Sequence, residues 1–195
     1  MGYYFDNNPA SSSDIREIKF TLFDKEYTYY TDNGVFSKSR IDEGTYIFLK
    51  ILVPLHLTGN ILDLGCGYGF IGICLSKITG GKGTLVDINK RAIHLTKRNI
   101  DANKADCECF VSNVYEEVKN KYDLIITNPP IRAGKQVLLD ILGNAKDHLN
   151  PNGECWFVMR VDHGVKTMIK LLSETYDYEI IDKKKGFYVV SLKIK

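Results

Sequence analysis

Residues 61–72 read "ILDLGCGYGFIG": a short apolar run, the acid Asp63, then Gly65, Gly67, Gly69 and Gly72. Glycines at a strand end allow φ > 0 and let a ligand approach the backbone closely. A helix starting there offers free N–H groups to an anion or carboxylate. Gly67-x-Gly69-x-x-Gly72 formally matches the dinucleotide fingerprint, with Asp87 about 20 residues further on, so spacing alone leaves a nicotinamide enzyme as a rival. Two acids favour another nucleoside. Asp63 can accept from an ammonium or hold the loop, and a pyrophosphate would be repelled by it. Asp87, ending "TLVDI", can accept both ribose hydroxyls. An amino acid joined to a ribose without a diphosphate describes S-adenosyl-L-methionine.

Working outward, apolar runs alternate with amphipathic ones. "NILDLG", "GTLVDI", "CECFVSN", "YDLIITN" and "GECWFVMRV" read as strands; "FIGICLSKIT", "KRAIHLTKRNIDANK", "GKQVLLDILGNAKDHL" and "GVKTMIKLLSETY" read as the helices between and after them. That order predicts right-handed βαβ units and a parallel sheet covered on both faces. The tail predicts two strands around the Lys183–Gly186 turn, and "EGTYIFLKILVPL" a helix ended near Pro54. "IREIKFTLFDKEYTYYT" alternates in two halves about Asp24-Lys25, as a β-hairpin does. The expected fold is α/β: a Rossmann-like, seven-stranded, mostly parallel sheet with helices on both faces and one antiparallel edge strand, preceded by the hairpin. One domain is expected over 1–195, with an arm at 1–14, hairpin and loop at 15–40 and the catalytic core at 41–195.

Composition narrows the function classes. The 195 residues are 44% hydrophobic and 26% charged, with net charge +2, ordinary for a globular chain. No run reaches the roughly 18 to 20 apolar residues of a membrane helix, and the N-terminus lacks a secretory h-region. The five cysteines read as reduced thiols, and Cys107-x-Cys109 is too sparse for zinc. A cytoplasmic protein without metal is expected. No Gly-x-Ser-x-Gly elbow or carboxylate pair supports a hydrolase. Cations cluster at Lys90-Arg91, Lys97-Arg98, Arg132 with Lys135, and Lys183 to Lys185.

The fourth parallel strand runs into "TNPPIRAGK", residues 127–135. Each proline holds φ near −65° and restricts the residue before it. Asn128 and Pro129 therefore have few conformations. A planar exocyclic amine could give one hydrogen to the Asn128 side-chain oxygen and one to the Pro129 carbonyl, with Pro130 stiffening the turn. That arrangement turns the nitrogen towards a methyl donor and favours its tetrahedral, nucleophilic form.

The segments "DLGCGYGFIG", "LVDIN", "GVFSKSRIDEGT", "TNPPIRAGK" and "KKKGFYVV" resemble the class I S-adenosylmethionine-dependent methyltransferases. More narrowly they resemble the small-subunit ribosomal RNA guanine-N2 methyltransferases (RsmC-like), over roughly residues 16–195. The resemblance implies Asp63, Gly65, Cys66, Gly67 and Gly69 around the methionine portion, and Asp87 with Ile88 at the ribose. Asn89 would edge the adenine, and Asn113 stands where an acid often meets the adenine amine. It further implies Asn128 at both cofactor and target amine, and Ile131 against the target base. Phe36 would stack near the active site, with Tyr68 and Tyr4 as other aromatic candidates. Arg132 and Lys135 would face phosphates of an RNA partner, a ribosomal RNA or subunit. Asn-Pro-Pro also suits other planar amines (DNA adenine N6, a protein glutamine or a small molecule), and a non-catalytic RNA-binding module is the rival of another class.

Overall fold

The computed structural model describes residues 13–33, 41–55 and 59–195; all but the last two residues of the N-terminal arm and the whole of "GVFSK", with Tyr4 and Phe36, lie outside them. Two strands, β1 (Arg16–Leu22) and β2 (Lys25–Thr31), form the hairpin. The body runs α1 (Glu43–Leu52), β3 (Asn60–Leu64), α2 (Phe70–Thr79), β4 (Lys82–Asp87), α3 (Lys90–Asn103) and β5 (Cys107–Val111). It continues with β6 (Tyr122–Thr127), α4 (Lys135–Gly143), β7 (Leu149–Arg160), α5 (Val165–Leu172), β8 (Tyr176–Lys184) and β9 (Phe187–Ile194).

Seven strands make one sheet in the order β5-β4-β3-β6-β7-β9-β8. The first five are parallel to their neighbours; β9 pairs antiparallel with both β7 and β8. The one antiparallel strand is therefore β9, a place inside the edge that β8 occupies. The chain turns straight back from β8 into β9, so β9 must run the other way and slot between β8 and β7. In the hairpin Leu22 pairs with Lys25, so the turn is Phe23-Asp24, both at positive φ as in a type I′ turn. It falls one residue before the position expected.

Side-chain alternation sorts the sheet into two apolar layers. Ile61, Leu124, Ile126, Trp156, Val158 and Val189 face α1, α2 and α3. Leu62, Ile125, Phe157, Val190 and Leu192 face α4 and α5. Burial on both faces is why the strands read as continuous apolar runs. No helix among the described residues is long and apolar enough to cross a membrane.

The hairpin forms its own small sheet and docks on α3 through two asparagines one helical turn apart. Asn99 Oδ1 accepts from the Tyr30 amide (2.6 Å) while its Nδ2 donates to the carbonyls of Tyr30 (3.1 Å) and Tyr68 (2.8 Å). Asn103 does the same for Thr28, accepting from its amide at 3.1 Å and donating to its carbonyl at 2.7 Å. The spacings match, since four helical residues rise about 6 Å and two strand residues about 6.7 Å. Beneath them Phe20, Tyr27, Tyr29, Tyr68 and Phe70 form a ring cluster with neighbouring centroids 5.0–6.2 Å apart. Asn99→Ala leaves three backbone groups without these partners and is expected to cost about 2–4 kcal/mol. Urea unfolding should show the midpoint falling accordingly, and an unchanged midpoint would mean that water replaces the asparagine at no cost.

Candidate active site

The site lies at the carboxyl edge of the sheet, where β3, β4 and β6 end side by side. Gly65 and Cys66 donate their amides to the Val86 carbonyl (2.9 and 3.0 Å), and Gly67 donates to Asp87 Oδ2 at 2.9 Å. From α3, Thr96 Oγ1 donates to the Gly67 carbonyl at 2.9 Å. The glycine turn is thus held from β4 and from α3 by the protein's own hydrogen bonds.

Its glycines serve two purposes. A Cβ at Gly69 would come within 2.8 Å of Thr96 Cγ2, and one at Gly72 within 2.9 Å of Leu85. Those two are packing glycines. At Gly65 and Gly67, with φ of 74° and 58°, a Cβ would meet nothing within 4 Å. Their backbone therefore borders open space, which suits a ligand passing close to it.

Asp63 is buried, and its Oδ2 accepts from the Gly72 amide at 2.8 Å. Burial pushes its carboxyl up to about 7, opposed by that N–H and reinforced by Asp87. Asp87 accepts from the Asn89 amide through Oδ1 and from Gly67 through Oδ2, both at 2.9 Å; burial raises it to about 6 against these N–H bonds. Two carboxylates with elevated pKa at neighbouring strand ends favour a cation and hydroxyl donors over a pyrophosphate. The donor set fits S-adenosyl-L-methionine, with Asp63 for its ammonium, the open faces of Gly65 and Gly67 for its methionine portion, and Asp87 with Ile88 for its ribose. Asn113 is exposed, and Glu116 Oε1 accepts from its Nδ2 at 2.8 Å, which orients its carbonyl oxygen. Asn89 spends its Oδ1 on the amides of Arg91 and Ala92 as the N-cap of α3, a different task from edging an adenine.

Asn128 leaves the end of β6 and meets a partner with no signal in the motif itself. Its Nδ2 donates to Asp42 Oδ2 at 3.1 Å and to Thr45 Oγ1 at 3.0 Å. Asp42 is the N-cap of α1, its Oδ2 also accepting from the Thr45 amide at 2.9 Å. A capping acid before "EGTYIFLK" is legible in the sequence; its bond to a residue 86 positions away is not. Among the described residues nothing donates to Asn128 Oδ1 or to the Pro129 carbonyl, so two acceptors remain for a substrate. The Pro130 carbonyl is taken by the Ala133 amide at 3.0 Å.

Ile131 is half-buried against α4 and the core, while Arg132 and Lys135 are exposed on the same rim. Lys183 to Lys185 sit at the β8–β9 turn beside the end of β7, also on the carboxyl edge. There Lys185 pairs with Glu43 at the start of α1. The other two basic clusters partly serve the hairpin: Arg98 lies 3.5 Å over the Tyr30 ring, and Arg91 pairs with the buried Asp32 at 3.7 Å. Tyr68 packs edge-on against Tyr29 and Phe70 in the core, which removes it as a platform for a base. Among the described residues no group of His, Cys, Asp and Glu could hold a metal ion.

A family model described as "methyltransferase small domain" matches residues 26–191. The Bacillus subtilis protein YbxB is 33% identical over 98% of this chain and 98% of its own length. The ribosomal RNA small subunit methyltransferase C of Erwinia tasmaniensis is 36% identical over 76% of this chain but only 44% of its own length. Among solved structures, the T. thermophilus 16S rRNA N2 G1207 methyltransferase RsmC, in complex with AdoMet and guanosine, superposes with a TM-score of 0.84. It is 24% identical, covering 96% of this chain and 52% of that one. The chain thus spans about half the length of these ribosomal RNA methyltransferases.

A carboxyl whose folded pKa is raised stabilises the fold below its unfolded pKa, and that stability is lost as pH rises through the folded value. Asp63 therefore makes cofactor-free stability fall between about pH 4 and 7. Asp63→Asn keeps an acceptor for Gly72 and is expected to flatten this slope, by up to ~1.4 kcal/mol per pH unit. Unfolding of both proteins across that range reads the difference; parallel curves would mean that Asp63 stays ionised in the fold.

Proposed function

We propose a reaction from one premise: this chain belongs to the methyltransferase small domain family. It binds S-adenosyl-L-methionine and transfers a methyl group to an exocyclic amine, guanine N2 in ribosomal RNA. The observation that carries the reading is Asn128, whose Oδ1 and neighbouring Pro129 carbonyl are, among the described residues, unengaged acceptors beside the glycine turn. The named RNA specificity of the methyltransferase C relatives supports the choice of guanine N2.

When bound, the cofactor supplies an electrophilic methyl group on a sulfonium. Asp63 takes its ammonium and Asp87 its ribose hydroxyls, while Asn113 meets the adenine amine. Asn128 Oδ1 and the Pro129 carbonyl each accept one hydrogen of the target amine. Both hydrogens then lie on the protein side, and the nitrogen lone pair is directed away from the ring plane towards the methyl. The same two acceptors become better partners as the nitrogen gains positive charge, so they favour the transition state over the ground state. The nitrogen loses a proton only once it is cationic, so no strong general base is required. Ile131 provides apolar surface beside the base, and Arg132, Lys135 and Lys183 to Lys185 form a rim for phosphates.

Labelled methyl transfer offered in parallel to ribosomal subunits, total RNA, DNA and protein tests the reading, with the modified nucleoside identified after digestion. Label in N2-methylguanosine is the expected result. Label only in DNA adenine or in protein would replace the substrate and keep the chemistry. Asn128→Ala is expected to lower kcat about 100-fold or more with cofactor affinity retained, and normal turnover would refute the assigned role. Lys184→Glu with Lys185→Glu should weaken RNA binding and reduce the slope of log affinity against log salt by about 1–2. An unchanged slope would take the β8–β9 turn out of the RNA rim.

A further inference from the structure

The orientation of the Asn128 amide is set by more than its own turn. A side-chain amide has a donor end and an acceptor end, and a flip exchanges them at almost no cost in shape. Thr45 Oγ1 cannot decide between them, because a hydroxyl can donate as well as accept. Asp42 can. A carboxylate only accepts, and the Asp42 Oδ2 lies 3.1 Å from Asn128 Nδ2. A flipped amide would set Oδ1 against that oxygen, losing the Asp42 bond and placing two acceptors face to face, whereas the Thr45 hydroxyl could turn to donate. The same Oδ2 is fixed from the other side by the Thr45 amide at 2.9 Å.

We infer that Asp42, assisted by Thr45, is the positioning and specificity residue of the site: by accepting from Asn128 Nδ2 it keeps Oδ1 directed at the substrate and so selects a ligand edge that donates hydrogens. The inference rests on the amine-methylating reading above. It adds a reason for discrimination: guanine offers both an amine and a carbonyl oxygen, and a site presenting only acceptors repels the carbonyl. The role is separable from helix capping, since serine also caps well but carries a hydroxyl that can donate as well as accept and so, like Thr45, does not fix the direction of the amide.

Exchanging the two side chains tests it. Asn128→Asp alone sets two carboxylates against each other and is expected to be nearly inactive. Asp42→Asn combined with Asn128→Asp restores one donor facing one acceptor and leaves a carboxylate oxygen for the substrate. The exchanged protein should recover at least tenfold in kcat over Asn128→Asp, with KM for RNA within about threefold. Asp42→Ser should lower kcat about tenfold with little change in melting temperature, which loss of the cap would not produce. The side-chain amide resonances of Asn128, identified by their disappearance in Asn128→Ala, should also move in Asp42→Ser without any substrate. If the wild type is active and the exchange gives no recovery, or if those resonances stay in place, the inference is overturned. A wild type that methylates no amine would overturn the function instead, while the resonances would still decide the positioning.

Discussion

Two buried carboxylates at the ends of neighbouring parallel strands are the constraint around which this end of the molecule is arranged. Asp63 and Asp87 are ionisable groups removed from water, and Asp87 adds to the burden on Asp63. Backbone amides offset part of that cost: Gly72 on the first acid, Gly67 and Asn89 on the second. The glycine turn is the physical consequence, because only a chain that curls back at once can deliver those N–H groups. In the proposed function the remaining unfavourable energy would be relieved by a ligand that brings a cation to one acid and hydroxyls to the other. Local instability and affinity are here the same quantity seen from two states.

The sheet decides what surrounds that pair. β3 lies between β4 and β6, so the turn after β3 is flanked by Asp87 on one side and Asn128 on the other. β9 runs back beside β7 and brings the Lys183–Lys185 turn to the same edge. The start of α1 reaches Asn128 through Asp42 and Thr45, and Phe187 fills the space that a Cβ on Gly44 would need, at 2.7 Å. Contributions from residues 42 to 187 therefore meet within one edge, although no two of the three motifs are adjacent in sequence.

The sheet, its helices and the glycine turn were legible because their causes are local. Strands buried on both faces must be continuously apolar, and the positive φ of Gly65, Gly67 and Gly69 favours glycine. The elements that were not legible depend on contacts distant in sequence. Nothing in "KRAIHLTKRNIDANK" marks Asn99 and Asn103 as anchors for the hairpin; asparagine inside a helix reads as merely tolerated. Tyr68 read as a candidate platform because its neighbours are glycines, yet the docked hairpin encloses it. Asn89 stood at the right distance from Asp87 to touch a nucleoside, but an asparagine preceding a helix is more simply its cap. The acceptor role proposed for Asn128 follows from two prolines, whereas the carboxylate behind it comes from a segment 86 residues earlier.

A two-stranded ribbon has two open margins, and each is a row of amides and carbonyls that another chain could join. On β2 that row is occupied. Asn99 and Asn103 engage both backbone groups of Tyr30 and of Thr28, as a third strand would. A helix can stand in for a strand because its four-residue repeat falls close to the two-residue repeat of an extended chain. The hairpin is thereby made non-adhesive along this margin without proline or bulge, two of the usual devices against edge-to-edge association, while Lys77 covers the Glu26 carbonyl. The surrogate strand is also the helix that steadies the glycine turn, so protection from aggregation and construction of the site rest on one stretch of chain.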